Sequence, residues 1–373
     1  MYSLASGGAE RQVSILLKEL NKKYNVTLVL MNDTIFYEVP KNIKIVYIEK
    51  SAPFESGVKK LLKLPFLALK YKKILKEKNI RVSLSFMNRP NYINSLTKLF
   101  GSKVKIIISE RAMPSLQHKN GIQGKINRFL IKTLYKKADV VVANSKGNQK
   151  DLKQNFNINA KVIYNMLDFD CKKEEKFKRF TFVTIGRLDE GKNHKLLIEA
   201  FKKANLDAEL LIIGDGYLRD DLEFMIKDLG LKDKVKLLGR QKDVFRFLSQ
   251  ADCFVFSSNY EGFPNVLLEA LACNLPVIST DCKSGPREIL APDTTFTKQT
   301  KEIELAEYGI LVPVGDVDKM VEAMRMIYKN SDLRYNYEQK AKKRIKEFEV
   351  KNIIKKWEKI IGEKNEFFWI FKG

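Results

Sequence analysis

Short apolar runs alternate with stretches of helical period along the whole chain, and this alternation constrains the fold more than any other feature. VTLVLM (26–31), IKIVYI (43–48), VSLSF (82–86), VKIIIS (from Val104) and VVVAN (140–144) fall in the first half. FTFVTIG (180–186), ELLIIG (209–214), VKLLG (235–239), CFVFS (253–257), LPVIST (275–280) and GILVP (309–313) fall in the second. Runs this short and this apolar suit strands buried between helices. Between them apolar residues recur three and four apart, as at Val13, Leu16, Leu17 and Leu20, which is the period of an amphipathic helix. The pattern predicts parallel sheets with helices on both faces. A length of 373 residues allows two such domains, each with its own core. No run approaches the ~18 apolar residues of a spanning helix, and the opening residues do not read as a signal peptide. Cys171, Cys253, Cys273 and Cys282 have no metal-ligand spacing and read as free thiols of a reducing compartment.

Two loops carry the residues with chemistry. Residues Glu261 to Glu269 read EGFPNVLLE, between a strand-like run and a helical one. Pro264 fixes φ near a helix start, so Glu261 is expected in the loop and Glu269 about one turn into the helix. Free N–H groups at a helix N-terminus suit phosphate, and ionised carboxylates, as pure acceptors, suit sugar hydroxyls. The second loop, GRLDEGKN (186–193), also follows a strand and holds Arg187 and Lys192. Two cations in such a loop can converge on one diphosphate. Gly214-Asp215-Gly216 and Gly239-Arg240 end two further strands. Gly7 and Gly8 precede the first helix, where a ligand can approach the backbone closely. Each of these taken alone has a plain alternative as a solvated charge or a structural turn.

As a set they resemble the retaining glycosyltransferases of the GT-B, family-4 type. Glu261 and Glu269 match its E-x7-E motif, Gly186–Asn193 its G-R-L-x-x-x-K-N signature, and GGAER its first helix. The resemblance implies two Rossmann-like domains facing a cleft, with a C-terminal helix crossing back to the first. Residues 1–167 would be the acceptor domain, 168–178 a linker, 179–350 the nucleotide-sugar domain, and 351–373 the crossover helix with an aromatic tail. It implies that Arg187 and Lys192 bind the diphosphate and neutralise the leaving UDP. Glu261 would accept from a donor-sugar hydroxyl, and Glu269 from the ribose. Phe263, Asn265 and Val266 would offer backbone groups, and Gly8 and Arg240 would border the donor. No metal or other cofactor is expected, the UDP-sugar being a substrate. Asp168 and Asp170 form a D-x-D that would hold Mg²⁺ in another transferase class; here the stretch resembles the N-x-x-D end of the first domain. Two departures stand out. The family has a full strand before GGAER, whereas here only Met1–Leu4 precede that loop; either the chain start is truncated or the first strand is nearly absent, and a missing central strand would expose two sheet edges. The family's His after the strand KIIISE is replaced by Glu110-Arg111, and the chain's only histidines are His118 and His194.

The stretches SLASGGAER, KLPFLALKYKK, NRPNYI, NSKGN, GRLDEGKNH, EGFPNVLLEALAC and DCKSG further resemble the N-acetylgalactosamine transferases of bacterial N-linked protein glycosylation. That implies UDP-GalNAc as donor and a polyprenyl-diphosphate-linked oligosaccharide, carried on undecaprenol, as acceptor. It implies peripheral attachment at the cytoplasmic face of the inner membrane. The charge is consistent with such a site. Residues 1–165 hold 31 Lys and Arg against 10 Asp and Glu, and the remainder 37 against 35. So uneven a split calls for an anionic partner of the first half. A nucleic-acid partner would need base-stacking aromatics, a KH loop or a zinc-finger pattern, none of which is present. The basic, apolar stretch from Lys59 to Lys78 fits an anionic membrane surface, with Lys70, Lys72, Lys73 and Lys76 as docking residues. The alternatives are a family-4 transferase using another UDP-hexose for lipopolysaccharide or capsule, and a GT-B-fold UDP-sugar epimerase.

Overall fold

The computed structural model describes residues 1–5, 7–49, 55–168, 171, 172 and 174–362. The chain divides into two compact units. One comprises Met1–Met166 with the segment from Val350, the other Leu167–Glu349.

In the first unit α1 (Gly8–Leu20) buries Val13, Leu16, Leu17 and Leu20, the stripe that the sequence periodicity predicts. There follow β1 (Thr27–Leu30), β2 (Lys44–Tyr47), α2 (Gly57–Leu62), α3 (Leu64–Glu77), β3 (Val82–Phe86) and α4 (Asn88–Leu99). The unit continues with β4 (Lys105–Glu110), α5 (Pro114–Gln117), α6 (Gly121–Leu134), β5 (Val140–Ala143), α7 (Lys146–Phe156) and β6 (Lys161–Val162). Pro65 sits in the first turn of α3, where its missing N–H costs nothing.

All strand pairs here are parallel, but they form two sheets, β1-β2 and β3-β4-β5-β6. Between β1 and β3 lies a cavity of about 930 Å³ lined by Leu17, Leu28, Val29, Ile74, Val82 and Leu84. Met1–Leu4 fills only one end of this gap. The Met1 amine donates to the Val29 carbonyl at 2.9 Å, Met31 N–H to Tyr2 at 3.0 Å, and Leu4 bridges Ile35 in parallel. Among the described residues β1 and β3 therefore keep edges without a ladder partner. Helix packing holds the two sheets in one unit. α1 packs with Leu28, Leu30, Phe86, Ile107 and Val142 in a single core.

The second unit runs β7 (Phe180–Ile185), α8 (His194–Ala204), β8 (Ala208–Ile213), α9 (Arg219–Asp228), β9 (Val235–Gly239), α10 (Val244–Gln250) and β10 (Cys253–Phe256). Then come α11 (Asn265–Ala272), β11 (Val277–Thr280), α12 (Pro286–Leu290), β12 (Glu304–Ala306), β13 (Gly309–Val312), α13 (Val317–Lys329) and α14 (Ser331–Ile345). The sheet order is β12-β13-β11-β10-β7-β8-β9. All pairs are parallel except β12–β13. Without β12 this is the doubly wound Rossmann order, whose two halves meet where β7 lies beside β10. β12 escapes the sequence pattern because Glu304-Leu305-Ala306 is too short and too polar to read as a strand.

The last described helix, α15 (Val350–Ile361), belongs to the first unit. Its Ile353, Ile354, Trp357, Ile360 and Ile361 are buried in the core that holds α1, Trp357 lies against Phe86, and the Tyr24 hydroxyl donates to the Gly362 carbonyl at 3.0 Å. The aromatic tail after it lies outside the described residues, as does Asp170 of the D-x-D.

One expectation is overturned. Cys171 and Cys273 are not free thiols but a disulfide, with Cα atoms 5.3 Å apart. The fold brings together residues separated by 102 positions, which spacing along the chain cannot reveal. Cys253 and Cys282 remain free and buried.

Candidate functional site

The doubly wound order decides which loops meet. Strands β7 and β10 are neighbours, Cys253 opposite Phe182 and Phe254 opposite Val183, so the loops leaving their carboxyl ends lie side by side. These are GRLDEGKN and the stretch Ser257–Pro264. Crevices at this position of an open parallel sheet are the usual ligand sites of such folds.

The two loops are tied by residues that the sequence alone did not single out. The Ser257 hydroxyl donates to the Lys192 carbonyl at 2.8 Å, Asn259 N–H to Gly191 at 2.8 Å, and the Asn259 amide to Glu190 at 2.9 Å. Ser257 and Asn259 directly precede Glu261 in SSNYE, and small polar residues at a strand end are the only signal for them. On the other side Gly214, at φ 144°, packs so closely that a Cβ there would stand 1.8 Å from the Gly186 carbonyl oxygen. Only glycine fits both that backbone and that space.

At the junction Lys192 and Glu261 form an ion pair, their side chains 21% and 13% exposed. The Lys192 ammonium also lies 5.5 Å from the Phe256 ring centre. The two residues assigned to diphosphate and to sugar are thus partners in this structure. A half-buried pair of this kind holds each charge in place, and the loss of one leaves the other poorly compensated. Arg187 is different: its side chain is 82% exposed, with Asp189 at 3.1 Å. It is a solvent-exposed cation paired with an acidic neighbour in its own loop. Arg240 is likewise exposed, 3.8 Å from Asp215.

The helix α11 starts at Asn265, with Pro264 as its N-cap and no side chain capping it. Asn265 and Val266 are half-buried, while Phe263 and Glu269 are buried. Phe263 is anchored on Phe348, ring centres 5.6 Å apart. A third loop braces this start. Ser284 and Gly285, at φ 98° and 95°, pack under it, the Ser284 hydroxyl donating to the Gly262 carbonyl at 2.9 Å. A Cβ on Gly285 would stand 2.4 Å from Pro264 Cδ. The residues DCKSG are therefore a support for EGFPN.

His194 follows Lys192 but does not face a ligand. It is 3% exposed, burial and the Lys192 charge push its pKa down to about 4, and its Nδ1 has no hydrogen-bond partner among the described atoms. It packs as a neutral ring.

In the first unit Gly8 begins α1, which has Gly7 as N-cap and no side-chain cap. The position of the family's His holds a polar network at the carboxyl end of β4. Glu110 is buried, and its carboxylate accepts from the Tyr135 hydroxyl at 2.7 Å and from Arg111 N–H at 2.8 Å. Burial raises its pKa, opposed by these bonds. Arg111 lies 5.6 Å over the Phe86 ring and donates to Asn165; burial lowers its pKa to about 10. His118 is half-buried, bonded to Asn88, with its pKa lowered by burial and by Arg128. Among the described residues no group of three or more His, Cys, Asp or Glu is placed to hold a metal ion.

Two of the proposed docking lysines are spoken for. Lys70 donates to the Ile48 carbonyl at 2.6 Å and Lys72 to that of Phe100. Lys73 and Lys76 are exposed.

Comparison with known proteins agrees with this geometry. Residues 6–170 match the Glycosyltransferase Family 4 model and residues 168–344 the Glycosyl transferases group 1 model. The chain is 42% identical, over 362 residues and 94% of each protein, to the N-acetylgalactosamine-N,N'-diacetylbacillosaminyl-diphospho-undecaprenol 4-alpha-N-acetylgalactosaminyltransferase of Campylobacter jejuni. It is 28% identical over 97% of its length, and 96% of the relative's, to the GalNAc-alpha-(1->4)-GalNAc-alpha-(1->3)-diNAcBac-PP-undecaprenol alpha-1,4-N-acetyl-D-galactosaminyltransferase of the same organism. In fold it is similar to HepE of Anabaena, solved in complex with UDP, with a TM-score of 0.76, 18% identity and coverage of 96% and 99% of the two chains. The chain belongs to the glycosyltransferases of the GT-B fold, with a family-4 first domain and a group-1 second domain.

Proposed function

We propose that this enzyme is a retaining transferase that moves N-acetylgalactosamine from UDP-GalNAc onto an undecaprenyl-diphosphate-linked oligosaccharide of bacterial protein N-glycosylation. The observation that carries the donor half is the Lys192–Glu261 pair at the meeting of β7 and β10. A cation and a carboxylate side by side at this junction support the reading that a diphosphate and its sugar bind there together. In this reading Arg187 closes on the diphosphate beside Lys192, and both stabilise the negative charge that grows there as the glycosidic bond breaks. Preorganised charge of this kind is usually the largest catalytic contribution. Glu261 accepts from a sugar hydroxyl and Glu269 from the ribose. Phe263, Asn265 and Val266 offer backbone donors at the uncapped start of α11, and Gly8 and Arg240 border the donor. No metal takes part.

The name of the Campylobacter relative supports a polyprenyl-linked acceptor. Among the described residues no helix is long and apolar enough to cross a membrane, and the basic excess of residues 1–165 suits peripheral attachment to an anionic surface, in this reading the cytoplasmic face of the inner membrane. Lys73 and Lys76 contribute directly, whereas Lys70 and Lys72 first have to leave their carbonyl partners.

The test is transfer of radiolabelled sugar to staged polyprenyl-diphosphate oligosaccharides from UDP-GalNAc, UDP-GlcNAc and UDP-galactose in parallel. The expected result is label from UDP-GalNAc in the lipid-linked glycan, α-configured at the new bond. Label from another donor alone, or a β-linkage, would overturn the assignment.

A further inference from the structure

We propose that Asp189 is a positioning residue of the donor site: its one carboxylate spans the two residues assigned to the diphosphate and sets how both are presented. The proposal deepens that donor reading and rests on it. Asp189 Oδ1 accepts from the Lys192 N–H at 3.1 Å, and Oδ2 stands 3.1 Å from the Arg187 guanidinium. The Asp189 carbonyl accepts from the N–H groups of Lys192 and Asn193 at 3.2 and 3.3 Å, and the Asp189 N–H donates to the Arg187 carbonyl at 2.9 Å. Residues 187–193 therefore wind around this one side chain before α8 begins at His194.

The base of the clamp is fixed. Leu188 is fully buried in the core of the second unit. Its N–H donates to the Asp215 carbonyl at 3.1 Å, and its carbonyl accepts from the Leu218 N–H at 3.1 Å. The far side of the turn is close-packed as well, because a Cβ on Gly191 would stand 3.3 Å from Asp189 Oδ1 and 3.2 Å from the Tyr260 hydroxyl. The Asp189 side chain is 18% exposed against 82% for Arg187, so the anchored group is the acid and the group it holds is the cation.

Charge alone argues against an acid at this position, since a carboxylate beside a bound diphosphate repels it. Its place is explained by the order it imposes. An exposed arginine samples many rotamers, and binding an anion costs that freedom unless the side chain is already restrained. A guanidinium carries five N–H donors, so a pair made through one nitrogen leaves the fork able to take a second anion. Through Oδ1 the same carboxylate closes the turn that carries Lys192 toward Glu261. The two cations thus share one rigid reference point.

The experiment is calorimetric titration of UDP into the full chain with EDTA present, for wild type, Asp189→Asn, Arg187→Ala and the double variant Arg187→Ala/Asp189→Asn. Asp189→Asn keeps an oxygen for the Lys192 N–H and removes the charge that holds Arg187. Asp189→Ser, which also offers that N–H an acceptor without the charge, is measured in parallel, and thermal melts check that each variant folds. The expected result is UDP binding about tenfold weaker in Asp189→Asn and in Asp189→Ser, although loss of a like charge alone would tighten it. In the Arg187→Ala background Asp189→Asn should change the affinity by no more than about twofold, because the cation it positions has gone. A side chain that only stabilised the fold would weaken binding equally in both backgrounds, and that outcome would overturn the clamp. So would unchanged or tighter binding by Asp189→Asn beside a weakened Arg187→Ala, with the donor reading left standing. Binding by Arg187→Ala at the wild-type level would instead overturn the donor reading itself, and the clamp with it.

Discussion

At the scale of single residues the Lys192–Glu261 pair makes a prediction that a list of separate roles would not. Without donor, Glu261 partly neutralises the cation assigned to the diphosphate. Glu261→Gln removes that competition and the sugar contact together. UDP alone should bind Glu261→Gln at least as tightly as wild type by calorimetry, while sugar transfer falls by about 100-fold or more. Weaker UDP binding would mean that Glu261 holds the nucleotide rather than the sugar. His194 supplies a second residue-scale prediction, about stability. Its folded pKa lies near 4 against an ordinary 6.5, so between these values the unfolded chain binds a proton that the folded chain refuses. The contribution of the neutral ring is fully present above pH 6.5 and is lost as pH falls toward 4. It amounts to about 3 kcal/mol at most. His194→Gln should flatten the acid side of the melting-temperature profile in that window, and an unchanged slope would count against a buried neutral imidazole.

Among elements the DCKSG turn under the start of α11 makes the sharpest case. Gly285 needs a positive φ and has Pro264 Cδ where its Cβ would go, whereas Gly315, at φ 78°, has open space around it. Gly285→Ala should therefore cost well over the ~1 kcal/mol of backbone strain expected at Gly315→Ala, and should raise KM for the donor as the EGFPN loop shifts. Equal melting temperatures for the two variants would show that the turn does not brace the loop. Local features such as the α1 stripe, Pro65 in the first turn of α3 and Glu269 one turn into α11 were legible because neighbours in sequence determine them. The contact between Lys192 and Glu261 depends on β7 pairing with β10 across 69 positions. Nothing local encodes it; the resemblance implied only that the two residues serve one donor, not that they pair. The Cys171–Cys273 bond and the tethering by Ser257 and Asn259 were missed for the same reason. The carbonyl partners of Lys70 and Lys72 were not legible either, because a long side chain can fold back onto a carbonyl that the sequence does not place.

Over the whole molecule the uneven charge and the two Rossmann-like units were both readable from the sequence. Apolar runs specify parallel strands, and composition needs no fold to be counted. The split of the first sheet was foreseeable only as exposed edges. That the unit still closes around a cavity of about 930 Å³ follows from α1, α3 and α15 packing over it, which periodicity does not reveal. The central claim is that the loops after β7 and β10 form a donor site that works through protein cations. Calorimetric titration of UDP-GalNAc in the presence of EDTA, with wild type, Arg187→Ala and Lys192→Ala, tests it most directly. Charge-assisted contacts to a diphosphate contribute about 1.5–3 kcal/mol each. Wild type should therefore bind without metal, and each variant should bind about ten- to a hundredfold more weakly while melting as a folded protein. Binding that appears only with Mg²⁺, or variants that bind as wild type does, would contradict the account.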